Sequence, residues 1–132
     1  MDENLFKQRT KQLALRIIEI VEALPKNRTA DVIGRQLIRS GTSIGANYRA
    51  ACRGKSTADV IAKLRIVEEE ADESAYWMEL LIESGLLPEA RLSELLQETN
   101  EIIAMTVASV RTLQKRDESS PFNRQSKIKN LK

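Results

Sequence analysis

Histidine is absent from this chain, and with it go the commonest general base, the commonest metal ligand and the usual pH switch. That absence excludes Ser-His-Asp and Cys-His nucleophile arrangements, the His ligands of zinc sites and the Glu-x-x-His pairs of di-iron bundles. Cys52 is the only cysteine, so no internal disulfide forms and nothing suggests a secreted, disulfide-stapled fold. No apolar run approaches the roughly 18 residues of a membrane span. The first residues, Met-Asp-Glu-Asn-Leu-Phe-Lys, mix acids with bases and lack the apolar stretch of a signal peptide. A cytoplasmic protein without a catalytic site, metal or cofactor is expected.

What is present is helical periodicity along nearly the whole chain, with no internal repeat and no alternating strand pattern. At 132 residues the chain has the length of one domain, enough to bury roughly 65–70% of the surface that it exposes unfolded. Phe6, Leu13, Ile17, Ile20 and Leu24 mark the buried stripe of a first helix, widened by Ile18 and Val21 and closed by Pro25. Asn27 or Thr29 caps a second helix running to about Arg53. Gly54-Lys55-Ser56 reads as a stop followed by a cap, with Asp59 placed as in a capping box. A third helix, about Thr57 to Ser84, has Ile61, Leu64, Ala71, Ala75, Met78 and Ile82 as its core face and Gly85 at its C′ position. Pro88 suits the first position of a fourth helix, which carries Leu92, Leu96, Ile103, Val110 and Leu113 and fades near Arg116. Short connections force neighbouring helices antiparallel, so the fold class is all-α, an up-down-up-down four-helix bundle over residues 1–116. Residues 117–132 break the period and are expected to form a basic, disordered tail.

The near-neutral total hides an uneven distribution of charge. Residues 26–55 hold seven bases against Asp31 alone, a net of +6, whereas residues 56–101 hold twelve acids against three bases, a net of −9. From Ile102 onward seven bases face two acids. At about 100° per residue, Arg35, Arg39, Arg49 and Arg53 fall within roughly 40° of one line on the second helix. Ile33, Leu37, Ile44, Tyr48 and Ala51 lie on the opposite side, so the arginines point away from the core. Such a row of planar, permanently charged forks suits phosphates. A solvated face, or pairing with the acidic third helix of a neighbouring subunit, explains the same pattern.

Ser40-Gly41-Thr42-Ser43-Ile44-Gly45-Ala46-Asn47 is unusual for a helix interior, because each glycine costs on the order of 1 kcal/mol relative to alanine. The arginine phase carries across it unchanged, which predicts a continuous helix. Gly41 and Gly45 then let another backbone approach, and Ser40, Ser43 and Asn47 are placed to bond to a facing helix or subunit. Glu68, Glu69, Glu70, Asp72 and Glu73 crowd the third helix. Paired carboxylates serve acid-base chemistry or hard cations, but without histidine or a phosphate loop a solvated face with ion pairs to arginine is the better reading. Glu68 falls inside the apolar stripe and should meet a partner or water. Trp77 reads as a packing residue between helices or subunits, and Cys52 as a small packing residue.

Ile38 to Arg49, followed by Ser56, Asp59, Lys63-Leu64-Arg65-Ile66, Glu70-Ala71, Glu73 and Tyr76-Trp77, resembles the four-helix-bundle proteins encoded within intervening sequences of bacterial 23S ribosomal RNA genes. The likeness spans most of residues 5–115, its most specific parts being Ser43-Ile44-x-x-Asn47 and Tyr76-Trp77. It implies a bacterial cytoplasmic protein that assembles as a ring, typically a homopentamer. It also implies a distant similarity to the accessory protein of diversity-generating retroelements, a pentameric bundle that associates with nucleic acid and a reverse transcriptase. Ala50 departs from the pattern, since many members carry Glu there. The leading expectation is a non-enzymatic oligomer that binds RNA or DNA through Arg35, Arg39, Arg49 and Arg53. The alternative is a structural assembly module.

Overall fold

The computed structural model describes residues 2–119, which form four α-helices and, among those residues, no strand. They are α1 (Glu3–Glu22), α2 (Arg28–Cys52), α3 (Thr57–Glu83) and α4 (Glu89–Ser119). Each of the first three starts where a short polar side chain takes up a free backbone N–H of the first turn. Asp2 accepts from the Leu5 amide at 3.1 Å, Asn27 from Ala30 at 2.8 Å, and the Ser56 hydroxyl from Asp59 at 3.1 Å. The reciprocal half of the capping box is displaced by one residue, because the Asp59 carboxylate accepts from the Lys55 amide at 3.0 Å. It also receives Lys63 Nζ at 2.8 Å, and this cation holds its carboxyl below the usual range. Gly85 ends α3 with a φ of 78°, the left-handed conformation that needs no Cβ there. Helix α4 starts one residue after Pro88 and runs three residues beyond Arg116, so the start of the expected tail is helical. The rest of that tail, from residue 120, lies outside the described residues.

Consecutive helices pack against each other and α1 closes on α4, which makes a four-helix bundle. The buried positions follow a three-four spacing on every helix. On α2 the row is Ala30, Ile33, Leu37, Ser40, Ile44, Tyr48 and Ala51, with Gly34 and Gly41 buried beside it, and on α3 Leu64, Val67, Ala71, Ser74, Met78 and Leu81, with Ala75 beside it. On α4 they are Leu92, Leu95, Thr99, Ile102, Thr106 and Val110. This differs from the stripe read in the sequence. Ile61, Ile82, Leu96, Ile103 and Leu113 only flank the core, while hydroxyl residues occupy seam positions. Those hydroxyls are satisfied within their own helices. Thr10 donates to Phe6 O at 3.0 Å, Thr99 to Leu95 O at 2.8 Å and Thr106 to Ile102 O at 2.7 Å. Among the described residues no buried side-chain nitrogen or oxygen lacks a partner.

The α1–α4 seam is the slightest of the four contacts, and ion pairs cross it. Arg9 binds Glu98 through two nitrogens and stands 4.0 Å from Glu101, and Arg16 lies 3.7 Å from Glu94. Glu98 raises the Arg9 pKa further above its ordinary value.

Candidate functional site

The small-residue stretch lies inside an unbroken α2. A Cβ on Gly41 would stand 2.4 Å from Ile17 Cδ1, and one on Gly45 would stand 3.1 Å from Thr10 Oγ1. Both glycines therefore admit α1 of the same chain. Ser40 meets Ser74 of α3 at 2.8 Å. Ser43 and Asn47 turn instead to their own helix, donating to Arg39 O at 2.6 Å and Ser43 O at 2.8 Å. Their hydroxyl and amide reach a local carbonyl sooner than a neighbouring helix.

Arg35, Arg39 and Arg49 lie on the exposed side of α2, opposite its buried row, and exposed Arg53 follows as its C-cap, but their surroundings divide them. Arg35, with 79% of its side chain exposed, pairs with Asp31 one turn back at 3.0 Å. An exposed i,i+4 pair of this kind contributes only about 0.3–0.5 kcal/mol, so an incoming phosphate displaces it easily. Arg39 is engaged on three sides. It binds Glu70 at 3.3 Å, Glu73, and Gln36 Oε1 at 3.2 Å. The Trp77 indole N–H donates to the same Glu73 oxygen at 3.0 Å, and the Tyr76 ring meets Trp77 edge-on, centroids 5.4 Å apart. The acidic cluster of α3 thus serves an arginine of its own chain, while Glu68 lies part-buried beside Arg65 and Ile103. Arg49 and Arg53 are exposed and have no carboxylate partner among the described residues.

Two cations that the sequence reading passed over complete the arrangement. Lys7 and Lys11 of α1 line a groove of about 400 Å³ together with Thr42, Gly45, Ala46 and Arg49 of α2. Their spacing with Ala14, at i, i+4 and i+7, was the available signal, since it puts all three on one face of α1. Lys7 has Glu3 at 3.1 Å, and Lys11 has no acidic partner among the described residues. A second depression, of about 650 Å³, lies at the other end of the same helix pair, where Lys26, Arg28 and Arg35 surround Gly34 and Ile38. The α1–α2 face is therefore basic. On the far side, Glu68, Glu69 and Asp72 line an α3–α4 depression with Arg65.

Cys52 does not pack in the core; it is exposed at the end of α2. Partial burial and the neighbouring Glu3 carboxylate nevertheless push its thiol pKa up. The neutral thiol is thereby favoured at pH 7, and iodoacetamide should react with it more slowly than with a free cysteine peptide. Glu3→Gln removes the nearby negative charge, so it should lower the thiol pKa and speed alkylation at fixed pH. An unchanged rate in that variant would show that Glu3 does not act on the thiol.

A family model described as 23S rRNA-intervening sequence protein matches residues 2–108. Among solved structures, the chain is 34% identical to a Bacteroides thetaiotaomicron protein described as of unknown function and from the S23 ribosomal protein family. That match covers 84% of this chain and 99% of the other, with a TM-score of 0.78. No curated protein matches the chain. Among the described residues no helix is long and apolar enough to cross a membrane.

Proposed function

The chain belongs to the 23S rRNA-intervening sequence protein family, and from that premise and its basic α1–α2 face we propose that it is a non-catalytic module binding nucleic acid through phosphate contacts. The observation that carries this reading is the pair Arg49 and Arg53, exposed and without carboxylate partners among the described residues, with Lys7 and Lys11 across the groove from Arg49. Unneutralised guanidinium groups on a rigid helix are preorganised for phosphate, and such contacts give affinity with little sequence preference. Arg35 contributes by exchanging Asp31 for phosphate. Arg39 contributes least, since it would have to leave two carboxylates.

The test is Arg49→Ala with Arg53→Ala, measured by fluorescence anisotropy on labelled RNA and DNA across a salt series. Losing two charged hydrogen-bonding contacts of about 1.5 kcal/mol each should weaken binding by up to about a hundredfold. The slope of log K against log salt should fall in magnitude by about 1.4 on single strands or about 1.8 on duplex. An unchanged affinity and slope overturns the reading.

A second reading, assembly into a homo-oligomer such as a ring of five, is favoured by the apolar surface that Ile66 and, beside Trp77, Tyr76 expose on α3. Under it, with Arg49 and Arg53 of one copy pairing with the acidic α3 of the next, the same double variant lowers the particle mass in light scattering. Under the nucleic-acid reading the mass stays as in the parent.

A further inference from the structure

The two depressions on the α1–α2 face have a common geometry. Arg35, Thr42 and Arg49 lie within roughly 40° of one line on α2, so the basic groove at Lys7 and Lys11 and the depression at Lys26 and Arg28 open on the same side. From Arg28 to Arg49, α2 rises about 32 Å. Six cations border this valley, against Glu22, an Asp31 already paired with Arg35 and, at the Lys7 end, Glu3. Between its two ends α1 presents Leu15 and Ile18, both exposed.

Resting on the reading above, we propose that this valley is a track for single-stranded nucleic acid rather than a seat for duplex. Packed helices lie about 8–10 Å apart, and a duplex, whose major groove alone is about 12 Å across, is too broad to settle between them. A rigid duplex winds its phosphates around its own axis and so meets a straight valley at few points. A single strand conforms to the valley and keeps successive phosphates beside the cations on both rims. The floor is shallow and small, formed by Ala14, Gly45 and Ala46, with Gln8 and Thr42 as neutral hydrogen-bonding groups beside it. It holds no aromatic platform for stacking, so charge carries most of the affinity and sequence preference is weak. Exposed Leu15 and Ile18 offer apolar contact to bases turned away from the phosphates.

The experiment uses the full chain, a labelled 20-nucleotide oligouridylate and a 20-base-pair blunt duplex of mixed sequence, at equal salt. The single strand should bind at least tenfold more tightly than the duplex. Ala46→Glu, which sets a negative charge in the floor, and Lys11→Glu, on the rim, should each weaken single-strand binding at least tenfold. Arg111→Ala, on exposed α4, should leave it unchanged. Circular dichroism melts confirm that each variant is folded. Equal binding of the two probes, or wild-type affinity in Ala46→Glu and Lys11→Glu, overturns the track. If the Arg49/Arg53 variant is weakened while these two are not, the track falls and the broader reading survives. If the parent chain binds neither probe, both fall.

Discussion

Replacing Phe6 by alanine is expected to cost about 3–5 kcal/mol, whereas Leu5→Ala, one residue away, should change stability by no more than about 0.5 kcal/mol. Phe6 is fully buried and its ring meets that of Tyr48 edge-on, with centroids 4.4 Å apart. Its removal takes away the anchor that joins the start of α1 to the end of α2 and leaves a cavity with few neighbours free to fill it. Leu5 is 51% exposed and loses little contact on truncation. In a domain whose whole stability is on the order of 5–15 kcal/mol, the first change consumes a large share. Urea denaturation of the two variants checks the contrast. Similar midpoints for both would mean that α1 presents a different face to the core.

The second large effect is expected at Gly41. Leucine there gains about 1 kcal/mol of helix propensity, yet its Cβ would stand 2.4 Å from Ile17 Cδ1. Ile17 is fully buried, and its Cγ2 would also stand 3.2 Å from that Cβ, so turning Cδ1 aside does not by itself relieve the crowding. Overpacking of about 1–3 kcal/mol should therefore outweigh the gain, and Gly41→Leu should destabilise the bundle. Ile17→Ala alone should cost about 2–5 kcal/mol through its cavity. Combined, the added leucine partly fills that cavity, and the double variant should be more stable than the sum of the singles by about 0.5–3 kcal/mol. A double-mutant cycle in urea gives the coupling directly, and additive losses would refute the contact.

These two sites also mark how far the sequence could be read. The row Ile33, Leu37, Ile44, Tyr48 and Ala51 was legible because the arginine row marks the opposite face of α2 and so settles doublets such as Val32-Ile33 and Leu37-Ile38, and all five are buried. Ser56 and Gly85, and for α2 the choice of Asn27 or Thr29 that the structure resolves to Asn27, were legible because caps and C′ positions follow from local hydrogen bonding and from the cost of a left-handed backbone. The doublets Leu95-Leu96 and Ile102-Ile103 were not, since a 100° step leaves either member in phase with a broad stripe. Thr99 and Thr106 decide the matter, because they continue the seam through Leu95 and Ile102. A hydroxyl reads as polar in a sequence, but one that donates to its own helix can sit in the core without an orphaned hydrogen bond.

The arginine row was legible as a phase, and all four members are exposed, Arg35, Arg39 and Arg49 on the side of α2 away from its core and Arg53 at its C-cap. What each arginine faces was not. Asp31 follows from its i,i+4 spacing to Arg35, but the contact of Arg39 with Glu70 and Glu73 joins residues more than thirty positions apart. The same holds for Lys7 and Lys11, which come beside Arg49 only because Gly41 and Gly45 bring α1 close to α2. By itself, then, the sequence determined four helices, the caps of α2 and α3, the buried side of α2 and the unequal distribution of charge, because period and local hydrogen bonding act within a few residues. The tertiary structure alone decided which hydroxyls enter the core, which arginine is held by carboxylates and which lysines join the basic groove. Those outcomes depend on the distance and rotation between packed helices, and no spacing along one helix encodes them.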